Sequence, residues 1–327
     1  MDSLGGAGGF SGAKFWRLAT QRGVLCLRSW PPQADPAWPA RLKWIDAVLE
    51  HVARHGFSIV PAPIRTRRGS SFVEHDQRLW ELSPWLPGRA DYFPLRRTEK
   101  LQAALIALAR FHIAAAEFGG GTATSGPSPG IRQRSEQIDA LRAGRWHTIV
   151  AAVDAASLAG VPSNDAARIA IGQLARRWLP LFEEVAPMVR HRLTEAEPLR
   201  VPLQACIRDI WHDHVLFEDD RVSGLVDFGA MRVGNVAGDV ARLLGSMAGD
   251  DASVWQAGLA AYESVRPLSA DERRLVGVFD RSTTLLSGIN WLQWIFVEGR
   301  TFSDLAAVAE RLREILARLE CLKMARG

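Results

Sequence analysis

The hydrophobic pattern of the chain changes near residue 86, and this change limits the folds that the sequence can adopt. Before it, short segments of alternating polar and apolar residues predict strands, for example at residues 14–18 and 24–28, and a further short strand is predicted at residues 58–63. After it, apolar residues recur with the period of an α-helix, beginning at residues 101–116 and including a late helix at about residues 271–298. We therefore predict an α+β fold with two lobes: a small antiparallel-β N-lobe over residues 1–86 and a larger helical C-lobe over residues 87–327.

Composition excludes several classes of protein. The 327 residues are 47% hydrophobic and 23% charged, which is ordinary for a globular protein and excludes disordered and disulfide-scaffold classes. The net charge is only +4, and the densest basic run is residues 65–68, so we predict no nucleic-acid partner. The three cysteines lie far apart and form no CxxC pair, which indicates reduced thiols.

The sequence contains no recognisable secretory or membrane-spanning segment. The first residues lack a basic region followed by an apolar one. The longest nearly uncharged stretch, residues 285–297, is too short to span a bilayer. We therefore expect a cytoplasmic location and no membrane partner.

A short β-hairpin, predicted at residues 215–226, interrupts the helical pattern and is flanked by two aspartates. Asp209 precedes the hairpin and Asp227 follows it. A hairpin folds the chain back on itself, so the two carboxylates are expected to lie close together. Such a pair can hold a divalent cation and accept a proton from an attacking hydroxyl, which are two tasks of phosphoryl transfer. The alternative is that each aspartate only stabilises a turn.

The N-terminal segment is rich in glycine, including Gly8, Gly9, Phe10 and Ser11. Glycines let backbone amides approach a polyphosphate, because no Cβ is in the way. The segment is not a Walker A loop, since no Gly-Lys-Ser/Thr follows, and not a Rossmann loop, since a strand follows it. A glycine-rich loop between antiparallel strands is the arrangement found in protein kinases. A frayed N-terminal tail is the competing interpretation.

Taken in order, these segments resemble the aminoglycoside phosphotransferase and choline kinase-like enzymes, which have the protein-kinase-like fold. The resemblance covers nearly the whole chain and implies that residues 8–11 form the nucleotide-binding loop. It also implies that Arg28 binds phosphates and that Glu81 and Leu82, in the hinge segment 80–88, hold the adenine. Lys14 is an alternative phosphate ligand. An acidic partner for Arg28 is expected on the helix predicted at residues 40–55, either Asp46 or Glu50.

The resemblance also assigns roles around the hairpin. Asp209 falls on the catalytic base, Asp227 on the metal-binding aspartate, and Asp239 on an aspartate that braces the catalytic loop. The sequence departs from the family pattern twice, because Ile207 replaces a histidine and His214 replaces an asparagine. We expect His214 to be a metal ligand, although imidazole suits Mn²⁺ or Zn²⁺ better than Mg²⁺.

We therefore predict an ATP-dependent phosphotransferase that uses Mg²⁺ or Mn²⁺ and transfers the γ-phosphoryl group to a hydroxyl of a small molecule. The first alternative is a catalytically inactive relative that binds a nucleotide or a partner, which the replacements at Ile207 and His214 favour. A second alternative is a metal hydrolase built on His212, Asp213 and His214. The acceptor itself is not indicated by the sequence.

Overall fold

The computed structural model describes residues 2–5, 12–21, 23–32, 35–120, 124–158, 166–302 and 304–324. The predicted nucleotide-binding loop at residues 8–11 lies outside the described residues. Two compact units are present. Unit 1 comprises Met1–Thr124, Gln204–Met247 and Ala252–Pro267, and unit 2 comprises Ser125–Leu203, Ala248–Asp251 and Leu268–Gly327. The lobe boundary predicted between residues 86 and 87 stays a prediction.

Unit 1 begins with a five-stranded antiparallel sheet. Its strands, in spatial order, are β1 (Asp2–Gly5), β2 (Lys14–Thr20), β3 (Gly23–Trp30), β5 (Arg78–Pro84) and β4 (Phe72–His75). The helix α1 (Trp38–Arg54) follows β3, with a proline in its first turn and buried apolar side chains at helical spacing. Trp30 of β3 and Trp38 of α1 lie in one buried cluster, their rings 4.9 Å apart.

The remainder of unit 1 is mainly helical and contains the predicted hairpin. Its elements are α2 (Thr98–Ala116), the last residues of β7 (Arg200–Cys206), a 3₁₀ turn (His212–His214), β8 (Val215–Glu218), β9 (Arg221–Leu225), β10 (Arg232–Gly234), α6 (Ala237–Ala248) and α7 (Ala252–Glu263). β8 and β9 form the antiparallel hairpin, while β10 pairs with β7 so that Arg232 lies opposite Cys206. The β7–β10 pair carries the chain into the segment that contains Asp209.

Unit 2 consists mainly of helices. Its elements are β6 (Thr124–Pro127), α3 (Pro129–Ala140), α4 (Trp146–Leu158), α5 (Ala166–Ala196), α8 (Ala270–Leu292) and α9 (Leu305–Met324), with single π-helical turns at Leu141–Arg145 and Gln293–Val297. Ser269 and Glu272 form a capping box that starts α8. Arg318 of α9 pairs with Asp280 of α8 at 3.0 Å, although burial raises the pKa of that carboxyl.

The antiparallel N-terminal sheet and the mostly helical remainder confirm the predicted α+β fold class. A strand predicted at residues 58–63 is wrong, since this segment is irregular. Pro61 and Pro63 lack the backbone N–H groups that the hydrogen bonds of a β-sheet need. The helix predicted at residues 271–298 ends at Leu292 and continues as a π turn. In the described ranges, no helix has the length and apolarity needed to cross a membrane.

Gly88 allows the segment after β5 to contact the hairpin. Its φ is +96°, and an added Cβ would lie 2.6 Å from the carbonyl oxygen of Phe217. The backbone N–H of Arg89 donates to that same oxygen at 2.9 Å, and the N–H of Phe217 donates back to Arg89 at 2.9 Å. Glycine is thus required here both by the backbone angle and by the close approach.

We expect Gly88→Ala to lower the free energy of unfolding by about 2–4 kcal/mol, because strain and a backbone clash act together. Gly69→Ala is the matched control. Gly69 has φ +80°, but an added Cβ there would meet none of the described atoms within 4 Å. That control should cost only about 1 kcal/mol. Urea denaturation of both variants measures the difference, and equal losses would contradict the role of the contact.

Candidate active site

A buried hydrogen-bond network holds the segment before Asp209. Asp239, in the first turn of α6, accepts the backbone N–H of Ile207 at 2.7 Å and that of Arg208 at 2.6 Å. His112 of α2 lies 3.1 Å from the same carboxylate, and its other ring nitrogen lies 2.7 Å from the Tyr262 hydroxyl. The loop brace expected at Asp239 is therefore present, and Ile207 takes part through its backbone.

The same network includes a cluster of three potential metal ligands. His112, Cys206 and Asp239 bring three potential metal ligands within 4.8 Å of one another, all buried. Both ring nitrogens of His112 and both oxygens of Asp239 already take part in hydrogen bonds. The cluster therefore serves to hold the loop rather than to bind an ion.

Asp209 lies at the end of this braced segment with its side chain 52% exposed. Its Oδ1 accepts a hydrogen bond from Arg242 Nη2 at 2.9 Å. Arg242 was not predicted from the sequence. It follows Asp239 by three residues in α6, so helical periodicity places both on one face and was the available signal.

His214 connects the two aspartates. Its Nδ1 donates to the backbone carbonyl of Asp209 at 2.7 Å, since a carbonyl can only accept. Its Nε2 accepts the indole N–H of Trp211 at 2.8 Å and lies 3.7 Å from Asp227 Oδ2. The lone pair of Nε2 is thus directed at Trp211, and this pattern does not fit the metal-ligand role predicted for His214. The ring instead spans the gap between Asp209 and Asp227.

Asp227 follows β9 in a strained conformation. Its φ is +63°, a region that few residues other than glycine adopt. The backbone N–H of the preceding Val226 donates to the carbonyl of His214 at 3.0 Å, which joins the two ends of the hairpin. After Asp227, Phe228 is buried against Phe111, and Gly229 lies against the Trp30 ring. Strain retained in well-packed surroundings is typical of functional sites.

Arg28 of β3 reaches Asp227, with Nη2 at 3.3 Å from Oδ1. Its guanidinium group stacks on the Trp30 ring, 3.5 Å from the ring centroid, and lies 5.1 Å from that of Phe15. The Nε of Arg28 is buried, and none of the described residues is a hydrogen-bond partner of it. Such a donor suits an anionic ligand. Lys14, the alternative, begins β2 opposite Ser29 and is exposed.

The predicted hinge residues lie within β5. Glu81 pairs in register with Arg28, and its carboxylate accepts the indole N–H of Trp30. The carbonyl of Leu82 accepts the backbone N–H of Ile64 at 2.7 Å. Their predicted contacts with adenine stay a prediction.

The two acidic residues of α1 have partners other than Arg28. Glu50 pairs with Arg65. Asp46 is buried beside Glu81 and Ser71, and burial together with the charge of Glu81 raises its pKa to about 8. Asp46 is therefore mostly protonated at neutral pH. The acidic partner of Arg28 is Asp227, from the other side of the site.

The raised pKa of Asp46 predicts a pH dependence of stability. The folded pKa of about 8 exceeds the ordinary value of 3.8, so this group stabilises the fold fully below about pH 4. That stability is lost as the pH rises through 8. We expect Asp46→Asn to reduce the fall in stability between pH 5 and pH 8.5 by about 4 kcal/mol, which corresponds to about 6 °C in Tm for a chain of this length. Asp76→Asn, at an exposed position, is the control, and identical pH profiles for wild type and Asp46→Asn would contradict the assignment.

The comparisons with known proteins agree with this arrangement. The model of the phosphotransferase enzyme family matches residues 5–276, well over half of the chain. The chain belongs to the phosphotransferase enzyme family. This membership confirms the predicted resemblance and the predicted function, ATP-dependent phosphoryl transfer to a small-molecule hydroxyl, and it does not favour the catalytically inactive alternative.

Relatives of this phosphotransferase include homoserine kinases. One from Gluconacetobacter diazotrophicus is 29% identical over 270 residues, which cover 80% of this chain and 71% of that kinase. Another from Acidiphilium cryptum is 26% identical over 280 residues, which cover 83% of this chain and 74% of that kinase. Both matches extend over most of the two proteins compared.

Solved structures share the fold of the phosphotransferase. Spectinomycin phosphotransferase in complex with ADP and spectinomycin aligns with a TM-score of 0.64 at 9% identity, covering 95% of this chain and 89% of that one. Amicoumacin kinase in complex with AMP-PNP and Ca²⁺ aligns with a TM-score of 0.60 at 13% identity, covering 94% and 86%. These likenesses confirm the protein-kinase-like fold predicted from the sequence.

Proposed function

We propose that this phosphotransferase phosphorylates the hydroxyl of a small amino alcohol of the homoserine type, with Asp209 as catalytic base. The observation that carries the assignment of the site is the position of the His214 ring between the two aspartates, 2.7 Å from the Asp209 carbonyl and 3.7 Å from the Asp227 carboxylate. A base and a metal-binding carboxylate must lie close together, because the hydroxyl attacks a phosphate that the cation neutralises.

Asp209 is suited to the role of base by its exposure and its partner. Arg242 holds Oδ1, so the carboxylate keeps a fixed orientation, and Oδ2 is the oxygen that we assign to the acceptor proton. The brace from Asp239 fixes the backbone before it. The base therefore needs little reorganisation when the acceptor binds.

Asp227 is the residue that we assign to the divalent cation. Carboxylate oxygens are the ligands that Mg²⁺ prefers, whereas the Nε2 lone pair of His214 accepts the Trp211 N–H. This donor chemistry supports Mg²⁺, or the similarly oxygen-binding Mn²⁺, over Zn²⁺. A cation held there would neutralise charge on the β- and γ-phosphates. His214 is then a positioning residue, which holds the Asp209 backbone through its ring Nδ1 and the backbone of Val226, next to Asp227, through its own carbonyl.

Arg28 is assigned to the phosphates of ATP, together with the glycine-rich segment at residues 8–11. The planar guanidinium stacks on Trp30, which a lysine ammonium group cannot do in the same way. We expect Arg28→Lys to raise the KM for ATP by about tenfold with a smaller effect on kcat, since one forked contact is lost. Steady-state kinetics measure it. Lys14→Arg is the control, and a larger effect at position 14 would favour Lys14 as the phosphate ligand.

The acceptor class rests on the relatives, which are homoserine kinases at 24–29% identity. ADP release with L-homoserine tests it directly. L-2-Aminobutyrate is the matched control, because it lacks only the hydroxyl. Choline and an aminoglycoside complete the panel. We expect ADP release with homoserine and none above background with aminobutyrate. Turnover with another alcohol but not with homoserine would overturn the acceptor class and leave the kinase function intact.

A further inference from the structure

Three metal-ligating side chains meet in unit 1, on elements that carry neither catalytic aspartate. They are His51 and His55 at the end of α1 and Glu117 at the end of α2. One ligand atom from each lies within 4.8 Å of the other two. The two histidines are four residues apart, so helical geometry places them on one face, with ring centroids 3.9 Å apart.

The hydrogen bond of the His55 ring leaves its Nε2 facing Glu117. Nδ1 of His55 donates to the carbonyl of His51 at 2.7 Å. The Nε2 of His51 is buried without a hydrogen-bond partner among the residues that the structure describes. The His55 ring is therefore held by a main-chain carbonyl at Nδ1. Metal-binding histidines are oriented in this way, with the second nitrogen free to coordinate.

We propose that His51, His55 and Glu117 bind one Zn²⁺ ion. Two imidazole nitrogens and one carboxylate oxygen form a common zinc donor set, with the fourth position open to water. Bonds of about 2.0–2.2 Å in tetrahedral geometry require donors about 3.3–3.6 Å apart. His55 Nε2 and Glu117 Oε2 are already 3.8 Å apart. Nitrogen ligands argue against Mg²⁺ and Ca²⁺, which prefer oxygen.

The local electrostatics favour a cation at this position. His55 is the C-cap of α1 and Glu117 the C-cap of α2, so two helix C-termini, each with partial negative charge, converge on the site. Phe118 packs edge-on against His51 and shields one side. A bound ion would tie α1 to α2.

Zinc titration of the chelator-treated full chain by isothermal calorimetry tests the proposal. We expect one zinc site, weakened at least about tenfold by His55→Ala and by Glu117→Gln, both at exposed positions. His191→Ala is the matched control, because His191 and Glu195 form a similar exposed pair on α5, 3.4 Å apart. This control should bind zinc like wild type. With Co²⁺ in place of zinc, visible d–d bands should appear in the wild type and fade in both variants.

The proposal is overturned if the wild type binds no zinc, or if His55→Ala and Glu117→Gln bind it as tightly as His191→Ala does. Circular dichroism and Tm in chelator check that each variant is folded before titration. The readout does not depend on phosphoryl transfer, so it is independent of the proposed function. Retention of activity in the variants with excess Mg²⁺ would agree with two separate ion sites.

Discussion

Asp209→Asn should lower kcat by about 10²–10⁴-fold while ATP affinity stays within a few-fold of wild type. The amide keeps the size of the side chain and can still accept a hydrogen bond from Arg242. It cannot accept a proton from the acceptor hydroxyl, so only the chemical step is affected. ADP release measures kcat, and calorimetry measures ATP binding in the presence of Mg²⁺.

Asp213→Asn is the matched control for that experiment. Asp213 lies four residues further along the same loop with a similarly exposed side chain, 49% against 52% for Asp209. It should retain at least half of the wild-type kcat. Full turnover in Asp209→Asn, or an equal loss in Asp213→Asn, would contradict the assignment of Asp209 as base.

Asp239→Ala should lower the free energy of unfolding by about 3–5 kcal/mol. The change leaves the backbone N–H groups of Ile207 and Arg208 without their acceptor, and it removes one of the two partners of the buried His112 ring. The same loss should release the segment that holds Asp209, so kcat falls as well. Urea denaturation and ADP release measure the two effects.

Two further variants test whether the loss of stability in Asp239→Ala comes from the lost hydrogen bonds of the carboxylate. Asp239→Asn keeps one oxygen acceptor, so it should lose less stability than Asp239→Ala. Asp271→Ala, at an exposed position of α8, should change the free energy of unfolding by less than about 0.5 kcal/mol. A loss in Asp239→Ala no greater than in Asp271→Ala would show that the brace does not support the loop.

Much of the fold was predictable because local patterns agree with the tertiary structure. The β2–β3 hairpin, α1, α2 and the β8–β9 hairpin all follow from alternation, helical period and turn residues. The strands β7 and β10 were missed, because they pair with each other across a long separation in the sequence rather than through a local hairpin. Prolines 61 and 63 could have ruled out the predicted strand at residues 58–63.

The candidate site was predictable in its acidic residues but not in its contacts. The hairpin predicts that the carboxylates of Asp209 and Asp227 lie close together, and the His214 ring lies 2.7 Å from the Asp209 carbonyl and 3.7 Å from the Asp227 carboxylate. The hydrogen bond from Trp211 to His214 and the pair between Arg28 and Asp227 depend on side-chain directions that spacing does not give. Arg242 was missed because a charged residue on a helix is usually solvated.

We propose that the site around Asp209 and Asp227 transfers the γ-phosphoryl group of ATP to an alcohol. Phosphorus NMR of the protein with ATP, Mg²⁺ and L-homoserine tests it most directly, with choline and an aminoglycoside in parallel. We predict a new phosphomonoester resonance that grows in step with ADP and is lost in Asp209→Asn. ATP that stays intact with every acceptor, or yields only inorganic phosphate, would contradict the claim.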